Sequence, residues 1–558
     1  MAVSNGKAGP TEASPLLGEH STVKPINTPD GEIATTNGIS GDAEAGQPEE
    51  VAPTFEGNPE MIARLPWLLP PLAIGILLIS ADQTITVTSY GRIGSELNAL
   101  NNTSWIATGY FLTMTSFQPL YGKLSDIFGR KACLLFAYTV FGIGCVLCGL
   151  SRNITELVLA RAFAGIGGGG MTTVVSILLS DIVPLRERGT WQGYVNIVYT
   201  LGSSSGAALG GILADTIGWR WSFLGQGPLC FLAVGLVYFV LDLPKTEASH
   251  WREKLGRIDF LGAFTLVIAV FSLLLGLDRG SNVAWSDTFT IVTVCLSVPL
   301  FALFIFVEMK VASHPFAPGH IIFERSLFAS YLCNFFSVGG YMSCLFYVPL
   351  YLQAVDGMSA SAAGLRFIPV IIMSTAGSLS SGIIMQKTGK YYWLTVCAFL
   401  LQISGNIAVL VCCAVYAPTW LLMLSLVTSA IGGGVTITTT LINVIANAAA
   451  KDQAVATACT YLFRSLGSVV GISLGGTVVQ QTLRSELSRS LKSGHRADEI
   501  IERVRQSLDY INELDPKTQL LVRVCYRKAE TAAFGLAVAI TLGAVVSSWF
   551  IREKRLSR

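Results

Sequence analysis

Three charged side chains lie inside long apolar runs of this sequence. Asp82 lies in the run that begins near residue 68, Arg161 begins the stretch RAFAGIGGGG, and Arg464 directly precedes a glycine-rich stretch. A charge in hydrocarbon is costly unless it is paired, hydrated or neutralised by a proton, so its default interpretation is functional. A carboxylate there could bind a proton or a cationic solute, and a guanidinium could keep that carboxylate ionised.

Each of these residues also has a structural interpretation. Asp82 could cross-link two helices through a hydrogen bond, and Arg161, which we expect near the non-cytoplasmic end of its helix, could extend to the lipid interface. Arg464 lies deeper in its helix and needs a partner within the protein, which the sequence does not identify. We predict that the three residues serve substrate or proton coupling, with Asp82 foremost.

The elements that carry these residues are predicted to cross a membrane. Of the 558 residues, 51% are hydrophobic and only 13% are charged, whereas about a quarter of the residues of a soluble protein are charged. The apolar residues form runs of about 20, the length of a membrane-spanning helix. The sequence therefore predicts an all-α polytopic membrane protein with fourteen spans, at 68–90, 105–121, 132–150, 157–180, 194–213, 222–241, 260–277, 288–307, 327–352, 361–384, 393–415, 421–446, 454–479 and 531–551.

The predicted spans divide the chain into regions. Residues 1–65 are too poor in apolar side chains to fold and are predicted to form a disordered acidic tail. The other predicted regions are an N-terminal six-helix bundle (66–241), a linker with two inserted spans (242–326), a C-terminal six-helix bundle (327–551) that includes a non-cytoplasmic loop (484–528), and a short cytoplasmic tail (552–558).

Lysine and arginine are concentrated in alternate loops between the predicted spans. By the positive-inside bias these loops face the cytoplasm, as do both termini. No basic region, apolar core and cleavage site open the sequence, so the first span is expected to direct insertion. Two Asn-x-Thr sequons, at Asn101 and Asn153, fall in loops on the opposite side and are candidate glycosylation sites.

Two glycine-rich stretches repeat at the same spacing in the fifth and the thirteenth predicted spans. The first stretch reads GSSSGAALGG and the second reads GSVVGISLGG. A second internal similarity aligns GKLSDIFGRK with GIIMQKTGKY. The repeated glycines, which we expect to permit close helix packing, are Gly202, Gly206, Gly210 and Gly211 in the first stretch and Gly467, Gly471, Gly475 and Gly476 in the second. Two such halves around a central cavity are typical of transporters that work by alternating access.

The stretch GKLSDIFGRK resembles the signature that follows the second span in the major facilitator superfamily. Its matching residues are Gly122, Asp126, Gly129, Arg130 and Lys131. The resemblance implies the major facilitator fold and a conformational gate at this loop, formed by charge-assisted contacts across the two halves. Positive-inside anchoring is the simpler alternative, but it would not require Asp126 or the glycine spacing.

Further stretches resemble one branch of that family. SADQTITVT around Asp82, RAFAGIGGGG from Arg161 and GWRWSF at 218–223 look like the fourteen-span drug:proton antiporters. The stretches WRWSFLGQGP, VPLYLQAVDGMSASAAGLRFIP and YLFRSLGSVVGISLGG resemble fungal vacuolar basic amino acid transporters, and this resemblance covers nearly everything after Pro66. One departure is Gly206-Ala207, where the antiporter signature usually has Gly-Pro, and it argues against simple drug efflux.

The resemblance implies a proton-coupled antiporter that moves small cationic solutes, basic amino acids above all, from the cytoplasm into the vacuole. The stretch EASPLL, with Glu12, Leu16 and Leu17, fits an acidic dileucine sorting signal that a coat adaptor reads, which favours the vacuolar membrane. Two alternatives stay open: multidrug, toxin or siderophore efflux at the plasma membrane, and a transporter-like solute sensor. The expected partners are a small-molecule substrate and membrane lipid, and the protein is expected to be a monomer.

Other classes of protein fit the sequence less well. A net charge of +2 without a dense basic block argues against binding to nucleic acid. The 12 cysteines lie mostly in apolar runs, and the one CxxC, Cys145 with Cys148, lacks a second pair, so no metal site is expected. No nucleophile, base and orienting acid converge in a loop, so we expect no enzyme and no cofactor besides the proton as coupling ion.

Overall fold

The computed structural model describes residues 59–183, 188–241, 260–282, 285–311, 319–449, 452–491 and 495–554. Within these ranges the chain is almost entirely helical and contains no β-strand. The N-terminal helices are α1 (Pro59–Glu96), α2 (Ser104–Phe128), α3 (Arg130–Leu150), α4 (Ile154–Ile182), α5 (Arg188–Asp215), α6 (Arg220–Leu224) and α7 (Gln226–Val240). Helix α1 thus begins earlier than predicted, within the region that the sequence suggests as a tail.

The rest of the chain adds eleven helices to the described part. Two follow the first set, α8 (Phe260–Asn282) and α9 (Thr288–Phe306), and α9 continues into a π-helical turn (Val307–Val311). The C-terminal helices are α10 (Gly319–Ile322), α11 (Arg325–Ala354), α12 (Ala360–Arg366), α13 (Ile368–Thr388), α14 (Tyr392–Ala414), α15 (Thr419–Asn447), α16 (Gln453–Ser490), α17 (His495–Gln506) and α18 (Pro516–Ser548). Short 3₁₀ turns lie at Leu100–Asn102 and Asp509–Glu513.

Twelve stretches of the described helices are long and apolar enough to cross a membrane, so the chain is a polytopic all-α membrane protein. They are Leu69–Glu96, Arg130–Leu150, Ile154–Leu179, Tyr194–Asp215, Arg220–Val240, Thr288–Val311, Arg325–Ala354, Ala360–Thr388, Tyr392–Ala414, Thr419–Asn447, Val455–Ser490 and Pro516–Ser548. Each of the fourteen predicted spans lies on one helix or on two consecutive helices, but those in α2 and α8 do not reach this combination of length and hydropathy. The count of fourteen therefore stays a prediction.

The helices form two sets with matching packing. In the N-terminal set, α1 packs on α5, α2 on α4, and α3 on both α4 and α7. In the C-terminal set, α11 packs on α16, α13 on α15, and α14 on both α15 and α18. The two sets contact each other where α2 packs on α16 and where α5 packs on α13. If the glycine repeat marks a duplication, these two helix pairs are equivalent.

The repeated glycines occupy equivalent positions in the two sets. Three glycines of each stretch allow two helices of the same set to pack closely. Gly202, Gly206 and Gly210 bring α5 against α1, and Gly467, Gly471 and Gly475 bring α16 against α11. Gly211 faces the other set at Ser361, near the start of α12, whereas Gly476 lies between Tyr347 of its own set and Ser104, the first residue of α2. The first three glycines of each stretch thus have the same kind of neighbour as their counterparts in the repeat.

The segment 484–528 is largely helical and not an irregular loop. It contains the end of α16, all of α17 and the first turns of α18, which begins well before the predicted residue 531. Asp515 caps α18 because its carboxylate accepts a hydrogen bond from the Thr518 amide, and the hydrogen bonds from Thr518 hold the pKa of Asp515 below its usual value. Val522 and Tyr526 then start the buried stripe of this helix.

Candidate functional site

Asp82 and Arg161 form a buried ion pair within the N-terminal set. Asp82 lies midway along the span Leu69–Glu96, and Arg161 lies in α4. The guanidinium Nη1 is 2.6 Å from Oδ2 and 2.8 Å from Oδ1 of the carboxylate. The two side chains are only 1% and 0% exposed. Arg161 therefore does not extend to the lipid interface, and its partner is the carboxylate that the sequence singles out.

The surroundings of this pair satisfy most of its remaining polar atoms. Gln226 of α7 approaches Asp82 Oδ1 at 3.5 Å through its side-chain amide, and Arg161 Nε donates to the Ile106 carbonyl at 3.3 Å. The guanidinium also lies 4.4 Å from the ring centroid of Tyr110 and 5.7 Å from that of Phe223. Such a site stabilises two opposite charges together, and the loss of either one leaves the other buried without compensation.

Two features of the sequence explain this local arrangement. The motif GWRWSF starts α6 beside the end of α1, where the Trp219 indole nitrogen donates to Glu96 Oε2 at 2.9 Å and Arg220 pairs with the same carboxylate. Gly165 of α4 faces the Tyr110 carbonyl of α2 at a distance that leaves no room for a Cβ, which brings α4 and α2 close together around Arg161. Both motifs thus position helices that carry the ion pair.

Arg464 has neutral partners within the C-terminal set. Its Nε donates to Asn334 Oδ1 at 2.7 Å and its Nη2 donates to the Ile437 carbonyl at 2.8 Å. Among the described residues, no carboxylate lies within ion-pair distance of this guanidinium. Arg464 is half-buried, and its neighbours in α16 reach the other set, since Ser465 donates to Gln118 at 2.8 Å and Tyr461 lies 2.8 Å from Ser176. Arg464 thus lies beside the interface between the sets with no counter-charge in the described part of the chain.

Arg130 and Lys131, two charged side chains of the signature, make contacts within the N-terminal set. Gly129 has φ +89°, which favours glycine, and lets α3 begin directly after α2. Arg130 Nε donates to Asp181 Oδ2 of α4 at 3.0 Å, and Lys131 Nζ lies 5.4 Å from the ring centroid of Tyr238. The side chain of Asp126 lies outside the described residues. A charged contact across the two sets therefore stays a prediction.

Gly122 is the residue of the signature that faces the other set. A Cβ at this position would lie 3.7 Å from the Cβ of Ala458 on α16, so α2 and α16 approach closely at the predicted cytoplasmic end. Near the start of α2 and midway along α16, Thr108 Oγ1 lies 3.1 Å from Ser473 Oγ. The two sets are therefore in contact at two separate points along this helix pair.

The remaining predicted sites contribute little to this arrangement. Glu12, Leu16 and Leu17 lie outside the described residues, as does the side chain of Asn101. Asn153 caps α4: its Oδ1 accepts from the Glu156 amide and its Nδ2 donates to Glu156 Oε1, both at 2.8 Å. Among the described residues, no three His, Cys, Asp or Glu side chains are grouped as a metal site would require. Glycosylation of either sequon stays a prediction.

The buried carboxyl groups of the described residues include that of Glu530 in α18, which is not among the residues predicted from the sequence. This side chain is 0% exposed, whereas the charged residues around it led to a predicted boundary at residue 531. A signal for it is present in the sequence, because the residues of the buried stripe of α18 recur every three or four positions: Val522, Cys525, Tyr526, Ala529, Glu530, Ala533, Phe534 and Ala537. That periodicity places Glu530 on the inner face of the helix.

Comparison with known proteins identifies the family. The model of the Major Facilitator Superfamily matches residues 72–472. The vacuolar membrane amino acid uptake transporter fnx2 of Schizosaccharomyces pombe is 38% identical over 492 residues, which cover 88% of this chain and 84% of that protein. The multidrug resistance protein fnx1 of the same yeast is 39% identical over 489 residues, with 87% and 92% covered. The vacuolar basic amino acid transporter 2 of Saccharomyces cerevisiae is 32% identical over 458 residues, with 79% and 96% covered.

A solved structure supports the fold. A bacterial homologue of the human lysosomal transporter Spinster, in an inward-facing and unoccupied conformation, has a TM-score of 0.57 with this chain at 17% identity. The match covers 88% of this chain and 98% of that structure. At this identity the likeness concerns the fold alone.

Proposed function

The chain belongs to the major facilitator superfamily of membrane transporters, and on this premise we propose that it is a proton-coupled antiporter of the vacuolar membrane. Its substrates in this proposal are small cationic solutes, basic amino acids above all, which it moves from the cytoplasm into the vacuole by alternating access. Asp82 and Arg161 are the coupling pair. Two of the relatives are named as vacuolar amino acid transporters, which supports both the substrate class and the location.

The observation that carries the coupling role is the burial of the Asp82–Arg161 pair. Protonation of Asp82 would remove the negative charge that compensates Arg161, and an uncompensated charge in such a site costs about 3–5 kcal/mol. This free energy favours any rearrangement of α1 against α4 that hydrates Arg161 or gives it a new partner. The arrival of a proton can therefore be converted into a change in the relative stability of two conformations.

The position of Arg464 supports an amino acid over a simple lipophilic cation as the substrate. Its guanidinium has two neutral partners and lies beside the interface between the two helix sets. An unbalanced positive charge repels a cation but attracts a carboxylate, with which a guanidinium forms strong charge-assisted hydrogen bonds. In the proposed complex, Arg464 binds the carboxylate that every amino acid carries.

Multidrug efflux at the plasma membrane is a second candidate, favoured by the similarity to fnx1. A transport assay with the purified protein in liposomes that have an acidic interior distinguishes the two functions. We expect uptake of radiolabelled lysine, arginine or histidine that a protonophore abolishes, and no comparable movement of a lipophilic cationic drug. Drug transport without amino acid transport would overturn the substrate assignment, and binding of lysine without flux would indicate a solute sensor instead.

The location is tested separately in cells. In the proposal, the dileucine residues Leu16 and Leu17 direct the protein to the vacuole, so their joint replacement by alanine should move a fluorescently tagged protein to the plasma membrane at unchanged expression. Transport by the purified variant should equal that of the wild type. Unchanged vacuolar fluorescence would exclude these leucines as the sorting signal.

A further inference from the structure

Glu530 is buried in the C-terminal set, and no described group compensates a charge on it. Its side chain is 0% exposed, and neither Oε1 nor Oε2 has a hydrogen-bond partner among the described residues. An isolated carboxylate in such a place is very costly, whereas a neutral acid is costly only by its unmade hydrogen bonds. The site therefore accommodates the carboxyl group with its proton bound.

Several basic residues of α16, α17 and α18 form no ion pair with this carboxyl group. Lys528 Nζ pairs with Glu486 Oε2 of α16 at 2.7 Å. The Arg527 guanidinium lies 5.3 Å from the ring centroid of Tyr416, and Arg523 donates to a backbone carbonyl. Arg464 of α16 has the neutral partners described above, and Arg505 of α17 pairs with Glu502 at 3.3 Å. None of these cations compensates a charge on Glu530.

Tyr526 lies one helical turn before Glu530 on the buried face of α18. Among the described titratable groups, a charge on Glu530 would also act on Tyr90 of α1, Tyr347 of α11 and Cys413 of α14. The three tyrosine hydroxyls donate to backbone carbonyls: Tyr90 to Phe346 at 3.1 Å, Tyr347 to Ile472 at 2.8 Å and Tyr526 to Val504 at 2.8 Å. Their hydrogens are thus committed and do not stabilise a carboxylate.

The same three tyrosines line a cavity at the interface between the two helix sets. Its walls also include Thr108 of α2 and Ser473 of α16. Its volume of about 30 Å³ is enough for roughly two water molecules, so a free amino acid does not fit. Tyr90 stacks on Phe346 across the two sets with ring centroids 4.3 Å apart. Separation of the sets here would break this contact and admit water.

We propose that Glu530 is a second proton-binding carboxyl of the transport cycle, which exchanges its proton with water in the cavity lined by Tyr90, Tyr347 and Tyr526. When the cavity widens, the O–H bond of the acid breaks, the proton passes to water and the carboxylate is hydrated. The reverse step loads the proton before the sets close. This inference rests on the proposed proton-coupled function.

The first test needs no substrate. Infrared difference spectra of the purified wild type, recorded between neutral and alkaline pH, should contain the carbonyl stretch of a protonated carboxylic acid. The variant Glu530→Gln should lose this band, whereas the control Glu486→Gln, which changes the glutamate paired with Lys528, should keep it. A spectrum of Glu530→Gln identical to that of the wild type would overturn the proposal.

The second test measures coupling in liposomes. Glu530→Gln should lose the accumulation of radiolabelled lysine that a pH gradient drives, yet it should keep the exchange of lysine across the membrane without a gradient. Glu530→Asp, which retains a carboxyl group, should restore gradient-driven accumulation. Full accumulation by Glu530→Gln, or equal loss of accumulation and exchange, would contradict the proposal. If the wild type itself moves no lysine, the proposed function fails, and the infrared band still decides whether Glu530 holds a proton.

Discussion

Asp82 and Glu530, two of the buried carboxyl groups in the described part of the chain, have opposite surroundings. Asp82 in the N-terminal set has a cation 2.6 Å away and a side-chain amide beside it, whereas Glu530 in the C-terminal set has neither. At Asp82 the negative charge lies beside the guanidinium of Arg161, so its removal would leave a buried cation uncompensated. At Glu530 no described group would compensate a negative charge. The two proposed proton sites therefore differ in what surrounds the carboxyl group.

The largest effect is expected from Asp82→Asn, which keeps the size of the side chain but removes its charge. Arg161 would then be buried without a counter-charge, at a cost of about 3–5 kcal/mol. We expect a lower unfolding temperature in detergent and the loss of pH-gradient-driven lysine accumulation in liposomes. If Asp82 only cross-links helices, the asparagine should preserve much of the transport, because its amide still forms hydrogen bonds.

A double variant separates stability from coupling at this site. Asp82→Asn combined with Arg161→Gln removes both charges, so most of the lost stability should return. Gradient-driven accumulation should stay absent, because the carboxyl group that is proposed to bind the proton is gone. Restored accumulation in the double variant would exclude Asp82 as the coupling carboxylate.

A smaller effect on transport is expected from Arg464→Gln. This variant tests whether Arg464 binds the substrate without taking part in the proton coupling proposed for the two carboxyl groups. A hydrogen bond to a charged group contributes about 1.5–3 kcal/mol, so the KM for lysine should rise at least roughly tenfold. The response of uptake to the pH gradient should be unchanged when the substrate is saturating. An unchanged KM would remove Arg464 from the substrate site.

A modest effect is expected from Asp181→Asn, which removes the observed partner of Arg130. This ion pair is partly exposed, with Asp181 at 49%, and such pairs contribute only about 0–1 kcal/mol to stability. If the signature loop controls switching between conformations, Asp181→Asn and Arg130→Ala should both lower the turnover number more than the affinity for lysine. A change in affinity alone would assign these residues to the substrate site.

The smallest effect on stability is expected from Glu530→Gln. A neutral amide would replace a neutral acid of nearly the same shape, so the unfolding temperature should stay close to that of the wild type. A large decrease, like that expected for Asp82→Asn, would mean that Glu530 is ionised and has a cationic partner. The comparison of these two single variants in one thermal unfolding assay therefore tests the contrast between the two sites directly.

Local sequence features predict the helices well, but not the partners of their charged residues. Asp82 and Arg464 stand out in the sequence because charges are rare in apolar runs, yet their partners lie on other helices. Arg161 is 79 positions away from Asp82, and Asn334 is 130 positions away from Arg464. A neutral asparagine gives no signal that it binds an arginine. Glu530 is missed for a different reason: Lys528 and its basic neighbours suggest a loop, although the burial of Tyr526 and Ala529 extends the helix past them.

The fixed direction of the three tyrosine hydroxyls has a consequence for energy conservation. A vacuole keeps its acidity only if protons cannot cross its membrane without doing work. Because Tyr90, Tyr347 and Tyr526 point their hydrogens at backbone carbonyls, they form no continuous relay through which a proton could leave Glu530 while the two sets are closed. In the proposed cycle the site is then insulated between turnovers, and the resting transporter would not leak the gradient that is proposed to drive it.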